Sequence, residues 1–245
     1  PTLRLTNHHG LMIAGEAALS NWDAGMDMYI YGKLGNLTMT KEGINVLMTN
    51  LTGKVPPILQ RLDYIRFNGE AAGYLHDLTL TGLFHTGAGM VKTDVMMSID
   101  EQSMSRTYSG SVASADLDLG KLLNQEKKFG KVDFNVELKG FNYKNRYPES
   151  YIKGIISSFE YSQYQYENIM LDGVYKDGGF NGRLSMDDAN GSVQIDGNFN
   201  VAKTIPDFNL KASVKNLRPH DLHLSDKYEN ASISLGLTAD FTGKS

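Results

Sequence analysis

The sequence contains no cysteine, one tryptophan, six prolines and no long apolar run. The absence of cysteine excludes disulfides, thiolate nucleophiles and cysteine-based zinc sites. No apolar run approaches the roughly 20 residues that a membrane-spanning helix needs. Its 24 lysines and arginines are outnumbered by 28 acidic residues and form no basic stripe. The sequence therefore gives no indication of a nucleic-acid partner.

Apolar and polar side chains alternate at every second position through most of the sequence. Such alternation is typical of strands with one apolar face. Gly-rich or Asn-rich stretches separate the runs and indicate hairpin turns: "TKEG", "HTGAG", "KDGG" and "DDANG". The clearest apolar rows lie in residues 11–19, 91–99, 132–138, 193–201, 208–214 and 233–241.

Helical periodicity is scarce. The best candidate is Pro56–Ile65, and Asp118–Lys128 predicts a single turn. The remainder predicts roughly 14 antiparallel strands of about 5 to 9 residues each. The rows alone leave two all-β architectures open, a two-layer β-sandwich and a long twisted antiparallel sheet curled into an open trough.

Residues 1–245 are predicted to form a single elongated β-sheet segment with a weak internal repeat, approximately 74–140 and 166–243. Within it, Tyr74–Met97 aligns with Tyr166–Asp188, and Ala115–Gly140 aligns with Asn216–Gly243. The chain begins without an initiator methionine and stops just after a predicted strand. Both ends therefore predict a processed or excised piece of a larger protein.

No catalytic or metal-binding pattern stands out. The histidine clusters are His8 with His9 and His220 with His223; in a strand the last two would point to opposite faces, and zinc needs three or four convergent ligands. The stretch "MDDAN" lacks the ligand spacing of a calcium loop and fits a turn. We therefore predict no enzyme activity and no cofactor.

The order of glycines, alternating rows and a D-L-G-K-L-L step resembles the TamB-like proteins (translocation and assembly module, inner-membrane component). These belong to the AsmA-like superfamily, and the likeness is to the versions seen in Bacteroidetes. It covers most of the chain as a middle fragment. The segments that carry it are Leu59–Gly89, Tyr108–Gly140 and Ile156–Phe199.

This resemblance implies the open trough, in a periplasmic protein that is anchored to the inner membrane outside this chain. It further implies phospholipid transport between the inner and outer membranes, outer-membrane protein assembly, or both. The implied partners are phospholipid acyl chains and, through regions outside this chain, an outer-membrane β-barrel of the Omp85 type. The groove residues that we predict are Val132, Phe134, Val136, Leu138, Val193, Ile195, Phe199, Phe208, Leu210, Ile233, Leu235 and Leu237.

Two other functions remain open at this point. One is a bacterial surface β-sandwich for adhesion or interaction, which would bind glycan or protein through the aromatic run Phe159–Tyr166 and the Gly-rich turns. The rings of the aromatic run need not share one face. The other is a scaffold that offers an exposed edge strand to partners. Co-purifying phospholipid would favour the trough.

Overall fold

The computed structural model describes residues 2–6, 10–21, 24–100, 102–103, 105–142, 149–200, 207–227 and 229–241. Fourteen strands form one sheet, and each strand pairs antiparallel with its neighbours in the sequence. The strands are β1 Thr2–Thr6, β2 Leu11–Ser20, β3 Tyr29–Thr40, β4 Tyr64–Tyr74, β5 Asp77–Thr86, β6 Gly89–Asp100, β7 Ser105–Asp118, β8 Phe129–Asn142, β9 Glu149–Tyr161, β10 Tyr164–Lys176, β11 Gly179–Asp188, β12 Gly191–Asn200, β13 Asp207–Leu217 and β14 Ile233–Phe241. The predicted number of strands is confirmed, but the predicted lengths are too short, because β7 and β8 each have 14 residues.

The sheet has a single layer and does not close into a barrel. Its first and last strands, β1 and β14, each pair with one neighbour only. Within the described residues, extensive strand-to-strand contact joins only neighbours in the sequence. The two-layer sandwich is therefore wrong, and the fold is the predicted all-β open trough.

Glycines in the middle of the strands lie where the backbone of a neighbouring strand comes very close. They lie on one face, and a β-carbon added to any of them would come within 2.0 to 2.7 Å of backbone in a neighbouring strand. Glycine at such positions allows a strand to kink, and repeated kinks curl a sheet. Kinks within the strands would curl the sheet so that the trough runs across the strands. These floor glycines are Gly15, Gly69, Gly82, Gly110, Gly154, Gly173, Gly182 and Gly197.

Helix α1, Lys41–Thr52, contradicts the prediction of a turn at "TKEG". The Thr40 hydroxyl accepts a hydrogen bond from the Gly43 amide at 3.3 Å and caps the helix N-terminus. Gly53 ends the helix with a left-handed backbone, φ 74°. Ile44 is only 1% exposed, so the apolar face of α1 is firmly packed on the sheet.

The helix predicted at Pro56–Ile65 is also wrong. Only Leu59–Arg61 form a single 3-10 turn, and Ile65 already belongs to β4. The predicted turn at Asp118 is confirmed as helix α2, Leu119–Leu123, whose first turn is capped by the Asp118 carboxylate at 2.8 Å from the Lys121 amide. Neither α1 nor α2, nor any other helix in the described ranges, is long and apolar enough to cross a membrane.

All three larger connections lie at the same ends of the strands. Helix α1 joins β3 to β4, α2 joins β7 to β8, and a turn at residues 218–225 follows β13. We call this side of the trough the lower rim, and the opposite strand ends the upper rim. The buried core sits under the lower rim: Met39, Ile44, Leu62, Ile65, Ala88, Leu117 and Val132.

The weak repeat maps unevenly onto this sheet. In the second aligned pair, β7–α2–β8 and β13–turn–β14 both descend to the lower rim and return. In the first pair, β5 runs toward the lower rim and β10 runs away from it. The aligned Gly82 and Gly173 nevertheless share the bent face of the sheet.

Candidate functional site

One face of the sheet carries largely apolar rows that run from β2 to β14 and are interrupted by glycines, Thr93 and Ser114. Residues that are directly opposite each other in antiparallel strands share a face, so the pairing register defines these rows without reference to side-chain geometry. One row runs through Ile13, Leu37, Phe67, Phe84, Val91, Ser114, Phe134, Ile156, Ile169, Met186, Val193, Val214 and Leu235. The next row runs through Gly15, Leu34, Gly69, Gly82, Thr93, Val112, Val136, Gly154, Leu171, Leu184, Ile195, Ala212 and Leu237.

All of the predicted groove residues lie on this trough face. Their exposure differs along the sheet: Val132 is 6% exposed and belongs to the core, whereas Leu237 is 50% exposed. The intermediate group, partly covered by neighbouring side chains, comprises Phe134, Val136, Leu138, Val193, Ile195, Phe208 and Leu210. The exposed group comprises Phe199, Ile233, Leu235 and Leu237.

The opposite, outer face is marked by a row of mostly charged side chains. In register across the sheet stand Glu16, Lys33, Glu70, Thr81, Asp94, Ser111, Glu137, Lys153, Asp172, Arg183, Asp196, Lys211 and Thr238. From Glu137 to Lys211 the sign alternates at every strand. Cross-strand pairs of opposite charge are favourable and stay solvated, so this row lies in water. The same face also exposes large apolar side chains, among them Met96, Ile155 and Met170.

Two ion pairs within this row are close. Lys153 Nζ lies 3.3 Å from an oxygen of Asp172, and Arg183 Nε lies 2.6 Å from an oxygen of Asp196. The hydrogen bond that Tyr151 donates to Asp172, together with the Lys153 pair, lowers the pKa of the Asp172 carboxyl below its ordinary value. Asp172 is therefore ionised at neutral pH.

The aromatic run Phe159–Tyr166 lies at the lower rim. A two-residue turn at Ser162 and Gln163, both with positive φ, brings Tyr161 opposite Tyr164 and Phe159 opposite Tyr166. All four rings therefore share the trough face, and neighbouring centroids lie 4.8 to 6.5 Å apart. The sequence left open whether the rings share one face, and the two-residue turn places all of them on the same face.

These rings hold the turn at residues 218–225 against the sheet. The Tyr166 hydroxyl donates a 2.7 Å hydrogen bond to the Leu222 carbonyl, and Leu222 is fully buried. The Tyr164 hydroxyl donates to Asp188 at 2.5 Å. Burial and that hydrogen bond raise the pKa of Tyr164 to about 12, so the phenol keeps its proton at neutral pH. The aromatic run therefore serves the packing of the rim.

The histidine and acidic motifs form no metal site within the described residues, where no group of three or more potential ligands converges. His220 and His223 lie in a turn rather than in a strand, and His223 Nδ1 is 2.9 Å from the Ser162 carbonyl oxygen. Asp188 of "MDDAN" contacts the amides of Glu167 and Asn190, which fits the predicted turn. His8 and His9 lie outside the described residues.

Large apolar side chains remain exposed toward the upper rim and along β14. On the trough face they include Leu19, Met97, Tyr175 and Phe199, which are 39% to 63% exposed. The helices and the 218–225 turn cover the lower rim only. The trough is therefore closed along one side and open along the other.

Comparisons with known protein families, with curated proteins and with solved structures found no match to this chain.

Proposed function

We propose that this chain is a periplasmic segment of a TamB-like protein of the AsmA-like superfamily, and that its trough carries phospholipid acyl chains between the inner and outer membranes. The observation that supports this most is the register of apolar residues that continues along the trough face from β2 to β14, interrupted in the two central rows only by glycines, alanine, Thr93 and Ser114, combined with a row of charged residues on the outer face. A sheet whose apolar face is covered at the lower rim and open toward the upper rim suits a conduit for lipid chains.

The dimensions agree with this role. Thirteen strand spacings of about 4.8 Å give a trough on the order of 60 Å along the stacking direction. Each methylene group moved from water onto the trough face contributes about 0.8 kcal/mol. Rows of Val, Ile, Leu and Phe distinguish apolar length but carry no group that would select a head group.

The same surface suits a role in outer-membrane protein assembly, since an unfolded strand also presents alternating apolar side chains. The proposed partner for that step is an outer-membrane β-barrel of the Omp85 type, contacted through regions outside this chain. An inner-membrane anchor outside this chain belongs to the same proposal.

No observation favours the adhesion alternative. It required a closed sandwich and a free aromatic stripe, whereas the sheet is a single open layer and the rings of Tyr164 and Tyr166 pack at the lower rim.

The double variant Leu184→Asp with Ile195→Asp tests the proposal. The two side chains face each other across β11 and β12 on the trough face, so two carboxylates there place charge in the path of the acyl chains. We expect phospholipid that co-purifies with the protein to fall by about tenfold or more, equivalent to ~1.4 kcal/mol of lost binding. The measurement is mass-spectrometric quantification of extracted lipid.

The matched control is Asn181→Asp with Asn198→Asp, which places the same charges on a directly opposed pair of the outer face. It should retain the wild-type amount of lipid. Equal loss in both double variants, or full retention in both, contradicts the proposal.

A further inference from the structure

A separate cavity of about 440 Å³ opens on the outer face, on the opposite side of the sheet from the trough. It spans β6 to β10 near the upper rim, and its volume lies within the range of small-molecule sites. Most of its lining comes from outer-face positions, since Met96 pairs with Ser109, Ser109 with Lys139, and Lys139 with Tyr151.

Part of this lining is apolar, on a face that also carries the row of charged side chains. The side chains of Met96, Phe141, Tyr151 and Val174 contribute it. Met96 is 47% exposed and Tyr151 is 38% exposed, so their apolar surface is available to a ligand. Methionine and aromatic rings together favour an apolar body, and an aromatic one in particular.

The free polar groups of the cavity can all donate hydrogen bonds, and one of them, the Lys139 ammonium group, is a donor only. Among the described residues, the hydroxyls of Ser98, Thr107 and Ser109 and the ammonium group of Lys139 make no hydrogen bond or ion pair. Ser98 faces Thr107 and Ser109 faces Lys139 across neighbouring strands, so the four groups lie on adjacent pairs.

The Glu149 carboxylate and the Tyr151 hydroxyl beside the cavity already have partners. The Glu149 carboxylate lies 2.7 Å from Lys176 Nζ, and the Tyr151 hydroxyl donates to Asp172. Tyr108 and Ser150 are hydrogen-bonded to each other. A ligand that enters therefore meets a cation and free donors beside apolar surface, which is the recognition chemistry of an anion.

We propose that this outer-face cavity binds an anionic amphiphile: an apolar body held by Met96, Phe141 and Tyr151, with one carboxylate, sulfonate or phosphate group against Lys139 and Ser109. The site lies on the water-facing side of the sheet and does not depend on the proposed lipid path. The cavity would recognise the charge of its ligand, whereas the trough distinguishes only the length of an apolar chain.

The test uses 4-phenylbutyrate as the probe and the protein labelled with ¹³C on its methionine methyl groups. We expect saturable shifts of the Met96 resonance, while the resonance of Met186 on the trough face stays unchanged. The neutral analogue 4-phenylbutanamide should bind at least about fivefold more weakly, and Lys139→Ala should weaken the butyrate by a similar factor, as expected for a partly exposed charge pair.

Lys211→Ala serves as the matched control, because Lys211 lies on the same outer face at β13, beyond the cavity. It should leave butyrate binding unchanged. Equal affinity for the butyrate and the amide, an equal effect of the two lysine variants, or shifts at Met186 without shifts at Met96 would each overturn the proposal.

Discussion

Val132→Asp is expected to unfold the protein under conditions in which Leu237→Asp leaves it folded. Both residues belong to the predicted groove set and both lie on the trough face, but Val132 is 6% exposed and Leu237 is 50% exposed. A carboxylate at Val132 would be buried without a partner in the core, which costs about 3–5 kcal/mol. At Leu237 water reaches the same group, and the expected cost is below about 1 kcal/mol.

Urea unfolding of the two variants and the wild type measures this difference. The midpoint should drop sharply for Val132→Asp and barely move for Leu237→Asp, with an unchanged slope for the latter. A large loss for Leu237→Asp would show that β14 is covered by the protein itself and that the trough is closed at this end.

Gly197→Val is expected to lose about 3 kcal/mol of stability or more. Gly197 has φ 143°, a backbone conformation that residues with a β-carbon rarely adopt, and its added β-carbon would lie 2.1 Å from the Asn209 carbonyl oxygen. To accept valine, β12 must straighten and move away from β13, so the trough should also widen. Thermal unfolding and small-angle X-ray scattering measure the two effects.

Gly236→Val is the matched control for this substitution. Gly236 lies on β14, and a β-carbon added there meets nothing within 4 Å. Valine suits an extended strand, so stability should stay the same or rise slightly. If both variants behaved alike, the bend at Gly197 would have no role in shaping the sheet.

Two-residue alternation was enough to predict the strands, their number and the apolar face. The pattern is local and strict, since Val193, Ile195 and Phe199 must share one face of β12 whatever surrounds them. It could not predict strand length, because β7 and β8 continue through bulges near Leu117 and Val132 where alternation breaks.

Helix α1 could not be predicted from the local sequence because its first turn contains Gly43. Glycine disfavours a helix and is common in turns. The signal that was present is the spacing of Ile44, Leu47 and Met48 behind a capping threonine, Thr40. The core that these side chains form with Met39 in β3 needs contacts that no local pattern contains.

Features that depend on how the strands are aligned with one another could not be predicted from the sequence. The aromatic run shares one face only because the turn between β9 and β10 has two residues; one residue more would have split it. The alternating charges from Glu137 to Lys211 come from six strands and become a row only when the strands are aligned. The cavity beside Lys139 likewise joins residues from five strands.

Site-specific photo-crosslinking in cells that produce the protein shows whether the apolar face of this sheet holds lipid chains. A photoreactive amino acid at Ile195, on the trough face, is compared with the same amino acid at the adjacent outer-face position Gln194. We expect phospholipid adducts at position 195 and none at position 194. Adducts in equal amount at both positions, or at neither, would contradict the proposal.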